Sequence, residues 1–180
     1  MSATSENSSI LKTNFWDYVG PLVFGTMWAA ALALLMAVPI SIGVALFISH
    51  YAPRRLAQGL GYLVDLLAAV PSVVFGLWGI GILAPAVQPL YSWLVDNASW
   101  FPLFSGPVSS TGRTIFTAAI VLAVMVIPII TAICREIFLQ TPVLHEEAAL
   151  ALGATRWEMV RQVVLPFGRS GIVSASMLGL

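Results

Sequence analysis

Charge is scarce in this chain. Eight basic and eight acidic residues among 180 put charged side chains at 9%, where a soluble domain carries about a quarter. A soluble fold so short of charge would lack a surface. The formal net charge is zero, so no basic field argues for nucleic acid. Lysine occurs once, at Lys12, which rules out a Gly-Lys-Ser/Thr phosphate loop. If ATP drives this protein, another chain hydrolyses it. Cysteine also occurs once, at Cys134, excluding an internal disulfide and a thiolate metal cluster. His50 and His145 have no ligand partners at recognisable spacing and read as ordinary interfacial residues. There is no His-Glu-x-x-His, no paired catalytic aspartates and no acyl-transfer triad, so an intramembrane enzyme finds no support. Neither a metal nor a cofactor is expected.

What the chain has instead is apolar length: 59% of its residues are hydrophobic. Met1 to Asn14 is a polar stretch without the positive start and cleavage signature of a signal peptide. It is assigned, with the interfacial aromatics Phe15, Trp16 and Tyr18, to a tail over 1–18. Residues 19–180 then form a membrane domain. Its first span is centred on Met27 to Ile48, an uncharged run with Pro39 inside, about 33 Å long at roughly 1.5 Å per residue. His50 to Arg55 follows as a polar turn. The second span is placed at Leu60 to Ala84, interrupted by Asp65 and by Pro71-Ser72, with glycines at 76, 79 and 81 allowing close backbone approach. Pro85 to Gly112 reads as an aqueous connection, with a short surface helix as an option within it. The third span is Ile115 to Ile133, containing Pro128, and a further one begins at 172–180. The predicted fold class is therefore all-α, a bundle of kinked transmembrane helices.

Arginines orient the bundle. Arg54 and Arg55 lie in one turn, and Arg135, Arg156, Arg161 and Arg169 lie between the third span and the last apolar stretch. The other side has only Lys12 and Arg113. Positive residues favour the cytoplasm, which puts the segment 141–166 on the inner side.

That segment, TPVLHEEAALALGATRWEMVRQVVLP, reads as a helical elbow. Thr141 is the expected cap and Pro142 suits the first turn. Gly153 supplies a left-handed stop. Thr155 and Glu158 have capping-box spacing, so a second helix runs from Arg156 to Pro166. Small residues at Ala148, Ala149, Ala151 and Ala154 would let another protein's backbone come close, and Glu146, Glu147, Arg156 and Arg161 keep the pair in water. The bland alternative is an amphipathic pair lying on lipid.

Glu147-Ala148-Ala149, then Gly153, Val163 and Leu165-Pro166, resembles the EAA loop of ABC-importer permeases, with Val where the family usually has Ile. Leu66 to Phe75, Leu103 to Pro107, Gln140 to Val143 and Leu165 to Leu180 are similar to phosphate-importer permeases of the PstC type. The resemblance implies a type I importer permease fold in a bacterial cell (inner) membrane, with the elbow as the coupling helix. Its implied partners are ABC ATPase subunits, a second permease subunit, an extracytoplasmic phosphate-binding protein and the lipid bilayer. The implied docking residues are Glu147, Ala148, Ala149, Leu152, Gly153, Arg156 and Trp157. Family members carry a helix ahead of the first span and continue past the position of Leu180, so the chain is expected to be an incomplete permease. The competing functions are a permease for sulfate or molybdate, and a non-transporting assembly protein.

Ionisable groups beside spans are functional candidates by default. Asp65 is expected about 7 Å into its span by helical rise, with Arg135 and Glu136 at a similar level. A structural salt bridge from Asp65 to Arg135 or Arg55 competes with an electrostatic gate on an anion path. Ser72, beside Pro71, is a further candidate contact, since a broken helix exposes backbone groups. Arg113 attracts an anion or a binding protein, or serves as an anchor.

Overall fold

The computed structural model describes residues 15–98, 112 and 114–179. Residues 1–14, 99–111 (with the Leu103–Pro107 patch), Arg113 and Leu180 lie outside the described residues, as do the side chains of Phe15, Trp16, Tyr18 and residues 94–98. Among the described residues every regular element is helical. In order these are α1 (Phe15–Leu46), α2 (Arg54–Ala68), α3 (Ser72–Trp78), α4 (Ala84–Ala98), α5 (Ile115–Leu139), α6 (Val143–Ala151), α7 (Arg156–Met159) and α8 (Leu165–Leu178).

Three stretches are long and apolar enough to cross a membrane: Val19–Tyr51, Ser72–Trp93 and Ile115–Leu139. The first begins well before Met27, because nothing from Phe15 onward stops the helix; Pro21 lies inside it. The third runs past Ile133, carrying Cys134, Arg135 and Glu136 within its last turns. The second departs most from the sequence reading. Leu60–Ala84 is not one helix: α2 ends at Ala68, and Pro71, with φ −58° and ψ 135°, caps α3. A proline removes the helical N–H and its ring clashes with the carbonyl four residues back, so the run divides there. The crossing stretch therefore starts at Ser72, and Asp65 sits on the separate helix α2. Its far end is shifted too, since α4 stays helical through Ala98 with Pro89 inside, where an aqueous connection was expected.

Prolines also mark three wide turns. Phe47–Tyr51, Gly79–Leu83 and Val160–Val164 are π-helical. In each, the next residue's N–H reaches back five residues: Ala52 to Phe47 O, Ala84 to Gly79 O, and Leu165 to Val160 O. Pro53, Pro85 and Pro166 follow immediately. Before Pro85 and Pro166 a turn widened by one residue gives the pyrrolidine ring room without a break. At Ala52, by contrast, the backbone becomes extended, with ψ 139°, and the helix ends before Pro53. Hence α7 and α8 form one path through Pro166, and the helix expected to stop there continues to Leu178.

The core is the seam between α1 and α5. Ala29, Ala33, Ala37, Ser41 and Ala45 recur every fourth residue and are all buried, a stripe of small side chains that lets two backbones approach in lipid. Ala123, Val126, Ile130, Cys134 and Phe138 face the same core. The Ser41 hydroxyl donates to the Ile127 carbonyl at 3.1 Å, next to Pro128, where the ladder of α5 is interrupted. At the other end of α5, Thr114 caps the helix by accepting from the Thr117 N–H at 3.1 Å. Tyr91 closes that corner through its hydroxyl, 2.7 Å from Thr117 Oγ1.

Candidate functional site: the elbow and the groove beside it

The elbow is built largely from its own local signals. α6 ends at Ala151 with Leu152 as its C-cap, and Gly153 takes φ +88°. The Gly153 N–H donates to Leu150 O at 3.0 Å and the Ala154 N–H to Ala149 O at 3.1 Å, the paired bonds of a Schellman stop. At Thr155 the capping box closes. Its N–H and hydroxyl donate to Glu158 Oε2, each at 2.7 Å, and its Oγ1 accepts from the Glu158 N–H at 3.3 Å. These two bonds, the backbone one first, hold the Glu158 carboxyl below its ordinary value.

Thr141 does not cap α6. Pro142 holds the cap position, and Thr141 is buried with no partner for its hydroxyl among the described residues. Its side chain is enclosed in the protein at 4% exposure and makes no cap bond to the first α6 N–H groups.

The predicted docking residues mostly face outward. Leu152 is 90% exposed and Trp157 57%; Glu147, Ala148, Gly153 and Arg156 are exposed as well. A Cβ added at Gly153 would meet nothing within 4 Å. Ala149 differs, since it is partly buried and packs against the core, making it a footing of the elbow more than a free face. Beneath the elbow, Met159, Val160 and Val164 are buried in the core.

A second tether was not anticipated. His50 Nε2 lies 3.3 Å from Glu146 Oε1, and the Ser49 hydroxyl sits 2.6 Å from His50 Nδ1. This joins the end of the first span directly to α6. Nothing in local spacing signals it, because the two residues are far apart in sequence.

Of the path candidates, Asp65 and Arg135 come together. Arg135 Nη2 donates to Asp65 Oδ2 at 3.3 Å, whereas no bond from Asp65 to Arg55 occurs among the described residues. The arginine is largely enclosed and the aspartate half exposed, at 17% and 48% side-chain exposure. Ser72 is the first residue of α3 and exposed; no hydrogen bond links it to the pair among the described residues. Glu136 is exposed on α5.

Residues 37–180 match the family described as binding-protein-dependent transport system inner membrane component. The chain belongs to this family. Among individual relatives, it is 57% identical over 164 residues to the phosphate transport system permease protein PstC 2 of Mycobacterium tuberculosis, covering 90% of this chain and 51% of that protein. It is 54% identical over 157 residues to PstC of Mycobacterium leprae, covering 86% and 49%. PstC of Haemophilus influenzae is 40% identical over 186 residues, covering 96% and 58%. The chain thus spans about half the length of the curated relatives it matches. As a member of this inner-membrane family, it is a transport component with helices fit to cross the bilayer, and its relatives are named as permeases.

Proposed function

We propose that this chain is part of the transmembrane permease subunit of an ATP-driven ABC importer for inorganic phosphate, working with ABC ATPase subunits, a second permease subunit and an extracytoplasmic phosphate-binding protein. The observation that carries the coupling half of this reading is the elbow: its Leu152 is 90% exposed, while its base is set in the core. A large apolar side chain that its own chain leaves uncovered, on a tethered rigid mount, is suited to a cleft in another protein. Glu147, Ala148, Gly153, Arg156 and Trp157 would complete the contact surface, with Ala149 supporting it. When ATP draws the ATPase pair together, force on the elbow passes through Met159, Val160 and Val164, and through His50, into the spans.

Phosphate as the cargo rests on relatives named for phosphate at 57% and 40% identity; no observation favours sulfate or molybdate. Arg135, Asp65 and Ser72 remain the proposed residues of the anion's path. The test is ATP-driven uptake by the complete permease in proteoliposomes with its ATPase, second permease and binding protein. Phosphate should accumulate and sulfate and molybdate should not. Uptake of sulfate in preference to phosphate would refute the cargo, and failure to assemble with the ATPase would refute the coupling.

A further inference from the structure

A cavity of about 420 Å³ opens between the end of the first span, α2 and the last turns of α5. Its polar lining is cationic: Arg54 and Arg135 contribute guanidinium groups, Gln58 and Tyr62 neutral ones, and no carboxylate is among its lining residues. Arg54 has no ion pair among the described residues. Arg135 is only partly satisfied by Asp65, which takes one of its five donors. Its Nε is buried without any acceptor among the described residues, and a buried donor left unpaired is costly. Gly61 makes this arrangement possible, because a Cβ there would collide with Arg135 Nη1. The fold thus clears space for a guanidinium, withholds a full set of acceptors from it and sets a second cation in the same cavity lining.

We propose that this cavity binds a tetrahedral phosphate group, with Arg135 as its main donor and Arg54, Gln58 and Tyr62 completing the contacts. A planar fork of N–H groups matches phosphate oxygens in pairs. The Gln58 carbonyl and the Tyr62 hydroxyl can also accept a hydrogen bond from the P–OH that monohydrogen phosphate carries at neutral pH and that sulfate lacks. Inorganic phosphate and the phosphodiester of an anionic lipid both offer paired oxygens to this fork, and only the former also brings a P–OH. Only if the phosphate is free does the site rest on the reading of Arg135 as part of the cargo's path.

The experiment uses the complete permease complex in nanodiscs. In phosphatidylcholine discs, inorganic phosphate is titrated calorimetrically, with sulfate as competitor. In discs containing phosphatidylglycerol, the lipid retained through purification is measured by mass spectrometry. Whichever ligand binds, Arg135→Gln and Gly61→Ala should each weaken it about tenfold or more, since Gly61→Ala displaces the guanidinium while leaving every charge in place. Asp65→Asn should act in the opposite sense and tighten binding several-fold, by removing the competing carboxylate. Phosphate binding in the first discs identifies a free ligand, and phosphatidylglycerol retention in the second identifies a lipid; both support the site. Binding indifferent to all three changes overturns it, and so does weakening by Asp65→Asn, which would mark a purely structural ion pair. Uptake that persists while binding ignores Arg135 overturns the site and leaves the permease reading intact.

Discussion

His50 and Glu146, 96 residues apart in sequence, hold Nε2 and Oε1 3.3 Å apart. The first span and the elbow are therefore joined by a side-chain bond as well as by packing. Both groups are mostly enclosed, with 10% and 20% side-chain exposure, so water screens the bond less than it would a surface pair. A double-mutant cycle with His50→Ala and Glu146→Ala should return a coupling energy of about 1 kcal/mol in the unfolding free energy of the reconstituted protein. If the bond transmits force, either variant should also lower phosphate moved per ATP hydrolysed while the ATPase stays bound. A coupling energy near zero would show that packing alone holds the elbow.

Gly153 separates folding from docking. Its φ of +88° is strained for any side chain, at about 1–2 kcal/mol. Nothing lies within 4 Å of an added Cβ, so a larger side chain meets no further obstacle inside the protein. Gly153→Ala and Gly153→Trp should thus lower stability by similar amounts. Only the tryptophan should abolish ATPase co-purification and stimulation, because only it fills the space a partner would occupy. Undiminished stimulation with Gly153→Trp would remove the elbow as the docking site.

Phe138 and Gly168 fit together at the junction of α5 and α8. Phe138 is fully buried, and a Cβ on Gly168 would lie 2.8 Å from its Cε1. Gly168→Ala should cost about 1–3 kcal/mol through overpacking. Phe138→Ala should cost about 3 kcal/mol, the low end of the core range, because lipid is as apolar as the site it would leave. Combined, the cost of Gly168→Ala should vanish, since the ring it collides with is gone. Additive losses in thermal or denaturant unfolding would show that the two helices are not in close contact there.

What could be read from the sequence was what neighbours along the chain decide. The Gly153 stop and the Thr155–Glu158 box depend on residues within one turn, and both form as expected. The first and third spans were recognisable because an uncharged apolar run needs no partner to be helical in lipid. Other features depended on distant residues. Thr141 had the chemistry of a cap but is drawn into the core, and Ala149 turns inward where an exposed surface was expected. The interruption at Pro71-Ser72 was readable, but not that it ends one helix and starts the crossing stretch at Ser72, which needs the backbone geometry. His50–Glu146 and the Arg135 cavity arise where separate segments meet, and no spacing rule encodes them. Asp65–Arg135 was foreseeable only as one of two pairings, both allowed by depth.

Glu158 gives the elbow a one-sided dependence on pH. Its folded-state pKa lies below the ordinary value because the Thr155 N–H and then the Thr155 hydroxyl donate to the carboxylate. A depressed carboxyl stabilises the folded form because the folded state binds the proton less tightly than the unfolded chain does: the contribution is complete above the unfolded pKa and is lost as pH falls through the folded one. Protection of the Arg156–Met159 amides against hydrogen exchange, corrected for intrinsic rates, should therefore stay flat around neutrality and decline only below the ordinary glutamate range. Glu158→Gln keeps an acceptor oxygen for the box, so it should retain most of the protection and lose the acid dependence. Glu158→Ala should lose protection at every pH. Were wild-type protection to fall already near neutral pH, a group other than Glu158 would control the start of α7, and the box would be a passive feature of the turn.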